Sequence, residues 1–239
     1  MNRVWLFTGL AIIADGLAGL AGGLLSDRWL RRYECALVGL AAGALLAAAF
    51  LEVLPQAVAV YGPAALRWSF AGFVAFAIIE WLAGHHHRKE ALPSSLPGGL
   101  LFADALHNIG DGAVVAAAFS IAPSVGLGVA LAVIAHELPQ EIGDYALLRA
   151  AGLTRGRALF ALAAVQLTAA LGAAGVILAS RRIEHLTALV LSVTAGTFLY
   201  IAATDLLPEI HSGKTPRERR ERMLGFLAGV ALIALASIV

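Results

Sequence analysis

Two short runs combine imidazole, carboxylate and amide side chains at one-turn spacing. The first, ADALHNIGDGA, carries Asp104, His107, Asn108 and Asp111. The second, AHELPQEIGDY, carries His136, Glu137, Gln140, Glu141 and Asp144. At about 100° per residue the first four fall within an arc of about 100°, and the other five within about 140°. Each run therefore lays its polar groups along one face of a helix. The donors are nitrogen and oxygen, with no thiolate. That set suits Zn²⁺, Fe²⁺, Mn²⁺ and similar divalent ions and matches Cu⁺ poorly. Asp111, Glu137 and Glu141 can neutralise a divalent cation, and two ions fit if they share a carboxylate. A lone helical histidine is best read as packing. Two runs that each offer His plus acid are better read as a metal site.

The elements that must position these runs follow from hydropathy. The chain has 239 residues, of which 60% are apolar and 14% charged. Its mean hydropathy is +0.83. A soluble domain carries roughly 25% charge. These values exclude a disordered chain, a collagen-like chain and an ordinary soluble enzyme, and they point to an all-α polytopic membrane protein. The net charge of +1 offers no basic patch for nucleic acid. The single Cys35 excludes a disulfide framework and a Cys-rich metal site. Eight stretches are apolar enough to cross a bilayer, near 4–25, 35–60, 66–83, 98–122, 124–149, 158–179, 186–210 and 223–239. They leave a single transmembrane domain, 1–239, with no room for soluble-side catalysis. The chain is read as a non-enzyme, with no catalytic cofactor.

The two polar runs lie on spans 4 and 5, joined by a few residues around Pro123. Such a short loop makes the helices antiparallel neighbours. His107 and His136 each lie roughly 20 Å from the turn at about 1.5 Å per residue. The polar faces therefore meet near the middle of the membrane. An acid or imidazole at that depth costs several kcal/mol unless it is paired or wet. Pro139 cannot donate a hydrogen bond, which frees the carbonyl of Ala135 for water or a cation. Gly110 and Gly112 allow close approach.

Lys and Arg set the orientation. Thirteen of the 17 lie in the loops after spans 1, 3, 5 and 7, and only Arg3, Arg67, Arg181 and Arg182 lie on the other side. Both termini are expected outside the cell membrane, with the odd-numbered loops in the cytoplasm. Asp15 interrupts the first apolar run, which is also too long for a signal-peptide core. Residues 42–56, AGALLAAAFLEVLPQ, match 195–209, AGTFLYIAATDLLPE, at a constant offset of 153, with Glu52 opposite Asp205. These segments are spans 2 and 7, which run in opposite directions. The match suggests an inverted repeat of spans 1–3 and 6–8 around the 4–5 hairpin.

HNxxD in one span, HExPxE in the next, eight spans and an inverted repeat resemble the ZIP (Zrt-, Irt-like) family of divalent metal transporters, over nearly the whole chain. HNIGDG and HELPQEIGD are most similar to the subfamily whose fifth helix carries HExPHE. The resemblance implies that His107, Asn108 and Asp111 are fourth-helix metal ligands, and that His136, Glu137 and Gln140 are fifth-helix ligands. It also implies a homodimer in which helices 1, 4, 5 and 6 move against 2, 3, 7 and 8. Two departures stand out. Gln140 occupies a position that is His in that subfamily and Glu in others. Span 6 offers Gln166 and Thr168 where many members place a Glu that bridges two metals, which argues against a full two-metal centre.

Several features remain around this site. Asp104, Glu141, Asp144, Glu52, Asp205 and Asp15 are second-line or pathway residues. Glu52 and Asp205 either line an exit path or brace the scaffold. His85, His86 and His87, in the cytoplasmic loop 84–97, form a candidate metal-binding tract. The pairs Gly19/Gly23, Gly39/Gly43 and Gly225/Gly229 predict close helix packing. Residues 214–222 read as a solvated inner loop facing the lipid headgroups. The expected function is entry of a divalent cation into the cytoplasm by alternating access, with Zn²⁺ first and Fe²⁺, Mn²⁺ or Cd²⁺ behind it. Three rival functions place polar groups inside a membrane. An intramembrane metalloprotease requires HExxH, but Gln140 stands where the second His belongs, and Pro139 would break the helix carrying it. A proton-coupled carrier of an organic solute would use the acids, but the paired His–Asn and His–Glu favour metal. A non-transporting metal sensor would bind the ion without flux.

Overall fold

Hydrocarbon gives a bare peptide group no hydrogen-bond partner, so long apolar stretches fold as helices. The structure, a computed structural model, describes residues 2–24, 27–83, 96–183 and 185–238, and it is helical almost throughout. In chain order the helices are α1 (Asn2–Leu24), α2 (Asp27–Ala47), α3 (Leu54–Tyr61), α4 (Ala64–Ala83), α5 (Leu96–Ile121) and α6 (Pro123–Ala150). They continue as α7 (Arg155–Gln166), α8 (Ala169–Ala179), α9 (Leu186–Ile201), α10 (Leu207–His211) and α11 (Pro216–Ala236). The π-helical segment Ala48–Val53 joins α2 to α3, and a second, Ala202–Leu206, joins α9 to α10. With α7 and α8 forming one broken rod, the described residues make eight rods. Six stretches among the described residues are long and apolar enough to cross a membrane. The apolar part of α4, Ala64–Ile79, is shorter. The His85–His87 tract lies outside the described residues.

Three local features bear on the sequence reading. First, α6 runs unbroken through Pro139 to Ala150, so the expected break does not occur. One proline removes a single hydrogen bond, and packing of α6 against α1, α2 and α5 holds the rest of the helix in line. Second, residues 214–222 are helical from Pro216 rather than a loop. The Thr215 hydroxyl accepts from the Glu218 N–H at 3.1 Å, and the Glu218 carboxylate accepts from the Lys214 N–H at 2.9 Å. With Pro216 in the first turn, this caps the helix firmly. Third, the two π-helical segments precede Pro55 and Pro208, which lie 153 residues apart. A proline clashes with the carbonyl four residues back, and widening the preceding turn relieves that clash.

The offset of 153 also relates Gly72-Phe73 to Gly225-Phe226, and the packing repeats with it. The α2 rod lies along α11 as α9 lies along α4, and α1 lies along α6 as α8 lies along α5. Glycines make these approaches possible. A Cβ on Gly43 or Gly225 would fall on a backbone carbonyl oxygen of the facing helix, Phe226 or Ala36. Gly196 stands in the same relation to Ser69. Lipid provides no hydrophobic drive for association, so close backbone packing supplies it instead. The exterior is apolar, with Leu10, Leu17, Phe70, Ile79 and Phe160 all exposed. The buried polar groups are concentrated where α5 and α6 face each other.

Candidate metal centre

The α5–α6 hairpin turns on one residue, Ala122, in extended conformation, and Pro123 starts α6. With so short a turn, residues equidistant from it come level. His107 and His136 do so, with their Nε2 atoms 3.2 Å apart. Asp111 is one turn from His107, and Glu137 is the next residue after His136. Their carboxylates close the group. His107 Nε2 lies 3.2 Å from Glu137 Oε1 and 3.6 Å from Asp111 Oδ2. His136 Nε2 lies 3.2 Å from Asp111 Oδ2 and 3.6 Å from Glu137 Oε1. Bonds of about 2.0–2.2 Å to a tetrahedral Zn²⁺ place its donors about 3.3–3.6 Å apart. The observed nitrogen–nitrogen and nitrogen–oxygen separations, 3.2–3.6 Å, lie close to that spacing.

The surroundings set the electronic state of the donors. His136 Nδ1 lies 3.0 Å from the Ala132 carbonyl, one turn back. Donation there leaves the Nε2 lone pair facing the centre. The Phe198 ring packs 5.9 Å from the His136 ring, centroid to centroid, and holds its orientation. Glu137 and Asp111 are buried, and the His107 side chain is 17% exposed, so it is the member nearest an opening. Two carboxylates and two neutral imidazoles give a charge of −2, which balances a divalent cation.

The other predicted residues divide into two groups. Asn108 and Gln140 turn their amides onto Asp104, donating to its Oδ1 at 3.0 and 3.3 Å. Asp104, Glu137 and Glu141 form a second cluster with one carboxylate oxygen each within 4.8 Å of the others. Asp144 is buried one turn beyond Glu141. Asp15, on α1, is buried and shares a cavity of about 10 Å³ with Asp111. Glu52 is buried in the first π-helical segment and packs against Gly128 of α6. Asp205 falls in the second such segment.

The family resemblance sets Gln166 or Thr168 where many members carry a bridging Glu, but neither is counted among the expected site residues. Gln166 is the last residue of α7, is buried, and donates to Glu137 Oε2 at 3.0 Å and to Glu141 Oε1 at 2.6 Å. The signals are that family position and the presence of both polar residues in an otherwise apolar span. Thr168 reaches the Ala105 carbonyl of α5 at 3.0 Å, which fastens the break between α7 and α8 to the hairpin.

A family model described as ZIP zinc transporter matches residues 98–237. The chain is 32% identical over 223 residues to zinc transporter ZIP13 of Pongo abelii, covering 84% of this chain and 66% of that protein. It is 43% identical over 154 residues to zinc transporter ZIP4 of Mus musculus, covering 64% of this chain and 23% of that protein. Zinc transporter ZIP6 of Homo sapiens is 38% identical over 122 residues, covering 51% of this chain and 16% of that protein. The matches thus span between about a sixth and two thirds of the relatives' own lengths.

Proposed function

The chain belongs to the ZIP zinc transporter family, and on that premise we propose that it carries divalent transition-metal cations, Zn²⁺ first among them, across a cell membrane into the cytoplasm. The carrying observation is the four-donor group of His107, Asp111, His136 and Glu137, whose histidine nitrogens lie 3.2–3.6 Å from the two carboxylates. A hydrated ion reaches this group beside His107 and exchanges water for two imidazole nitrogens and two carboxylate oxygens. The negative charge of Asp111 and Glu137 offsets the cost of bringing +2 to membrane depth.

The packing supports a division of labour. One group comprises α1, α5, α6 and the α7–α8 rod. The other comprises the α2–α3 rod, α4, the α9–α10 rod and α11. Contacts of α6 with α2 and of α5 with α9 join the two groups. The first group holds the donors, and its displacement against the second exposes them alternately to the two sides. The ion then leaves toward loop 84–97. The bias of Lys and Arg supports an orientation with both termini outside, and a homodimer is the assembly expected. Neither proteolysis nor a catalytic cofactor is part of this reading. Glu137, which would be the general base of a protease, directs Oε1 into the donor group.

The test is ⁶⁵Zn²⁺ uptake into proteoliposomes, with Fe²⁺, Mn²⁺ and Cd²⁺ as competitors. Saturable uptake by the wild type that is lost in folded His107→Ala supports the reading. Cleavage of a membrane peptide, or metal binding without flux, would replace it.

A further inference from the structure

The cytoplasmic end assigned to the α2–α11 pair carries charge that the metal centre does not use. Residues 27–34 and 214–222 hold eight Lys or Arg against four Asp or Glu. Packing brings these two segments together. A Cβ on Gly225 would fall on the Ala36 carbonyl oxygen, and one on Gly229, four residues on, would fall on that of Leu40. The register advances in step, so α2 and α11 run parallel and start on the same side. Between their starts lies an open pocket of about 710 Å³, within the range of about 300–1,000 Å³ typical of small-ligand sites. Its lining includes Arg32 and Glu34 of α2 and Lys214, Arg217 and Arg222 around the start of α11.

Two carboxylates of this lining are engaged, and two cations are not. The Glu221 carboxylate accepts from Arg217 Nε at 2.7 Å, and that of Glu218 accepts from the Lys214 N–H. Arg222 Nη1 donates to the Ser212 hydroxyl at 2.7 Å. The Arg32 guanidinium, 5.7 Å from the centre of the Tyr33 ring, and the Lys214 ammonium form no ion pair with a carboxylate among the described residues. The start of α11 adds the positive end of its helix dipole. A Cβ on Gly213 would lie 2.9 Å from the Arg219 nitrogen, so the link before α11 folds closely onto that start. Next to these charges, Tyr33, Met223 and Leu224 are exposed. The apolar stretch of α2 begins at Arg32 and that of α11 just after Arg222. The pocket therefore opens where both helices enter the bilayer, with cations above an apolar surface.

We infer that this pocket binds the headgroup of an anionic phospholipid, with the phosphate held by Arg32 and Lys214 and the acyl chains lying along the exposed apolar side chains. Clusters of Lys and Arg at the cytoplasmic surface of a membrane attract anionic lipid. A free phosphate ion would meet the same cations but gain nothing from Tyr33, Met223 and Leu224. A headgroup held from both sides ties α2 to the start of α11. The inference goes beyond the transport reading, whose orientation it adopts and whose metal donors it does not use.

The experiment is calorimetric titration of the purified full chain in detergent with dihexanoyl phosphatidylglycerol, dihexanoyl phosphatidylcholine and inorganic phosphate. Saturable binding of the phosphatidylglycerol, tighter than that of either other probe, is expected. The double variant Arg32→Gln/Lys214→Gln is expected to weaken it by at least about 10-fold, since each lost cation costs about 5-fold. Equal affinity for the phosphatidylcholine, or unchanged affinity in the double variant at an unchanged melting temperature, overturns the inference. Inorganic phosphate bound as tightly as the phosphatidylglycerol assigns the pocket to a free anion and overturns it too. If the double variant does not fold, Glu34→Gln, which removes a carboxylate facing the anion, is measured in its place. Tighter binding supports the inference, and unchanged or weaker binding overturns it. Each of these failures leaves Zn²⁺ transport through α5 and α6 standing.

Discussion

At the residue scale, the proposed centre rests on four atoms. Removing one ligand must cost more than removing an outer partner, which alone weakens metal affinity by about 10–100-fold. Asp111→Ala and His136→Ala are therefore each expected to weaken Zn²⁺ binding by more than about 100-fold in calorimetry while the helical circular dichroism is retained. Equal affinity in both variants would remove these residues from the site. Acidification acts through the same atoms. A proton on His107 or His136 occupies the lone pair that the metal needs, so affinity is expected to fall as the pH falls. Zinc titrations at stepped pH check this, and a flat profile would mean that the imidazoles are not ligands. Gln140→His is a separate case. The Gln140 amide is turned onto Asp104, and an imidazole there would bring a nitrogen donor beside the second carboxylate cluster. Tighter Zn²⁺ binding is expected, and unchanged affinity would show that position 140 does not reach the metal.

At the scale of elements, the glycines of α8 provide an internal control. A Cβ at Gly172 would fall on the Ile109 carbonyl oxygen of α5, whereas a Cβ at Gly175 meets nothing within 4 Å. Overpacking of this kind costs about 1–3 kcal/mol. Gly172→Ala is expected to lower the melting temperature in detergent and Gly175→Ala to leave it unchanged or raise it slightly. The reverse order would show that α5 and α8 do not pack in this way. The same elements show what is legible in the sequence. The shared depth of His107 and His136 is readable because helical rise and a short turn fix it arithmetically. The meeting of Gly39 and Gly43 with α11 is readable as a small-residue pattern, although the pattern does not name the partner helix. The turning of Asn108 and Gln140 onto Asp104 is not readable, because side chains on one face compete for partners in three dimensions. Gln166 is visible in the sequence as a polar residue in an apolar span. Its place in the site is not, because its contacts depend on the break before α8 and on how three helices meet. The π-helical segments stay hidden because a proline marks a perturbation without saying whether the helix kinks, stops or widens.

At the scale of the whole molecule, the proposed function requires the donor-bearing group of helices to shift against the other without losing its own packing. The boundary between them is where α6 meets the α2–α3 rod, and Gly128 of α6 lies there against Glu52. A Cβ at Gly128 would sit 3.0 Å from Glu52 Cγ and Cδ. The contact is with a side chain rather than a backbone, so a larger residue has some room to be accommodated in this conformation. As the two groups move, that residue must pass different neighbours. A strain of about 1–3 kcal/mol that falls on only one of two conformations changes their ratio by about 5–150-fold. Gly128→Leu is therefore expected to slow maximal Zn²⁺ uptake in proteoliposomes by at least about 5-fold. The metal affinity measured in detergent should stay close to that of the wild type, because Gly128 is two turns of α6 from His136 and contributes no donor. If uptake falls and affinity holds, this boundary is the surface that moves. If uptake is unchanged, the displacement takes place elsewhere and the division into two groups has no mechanical meaning.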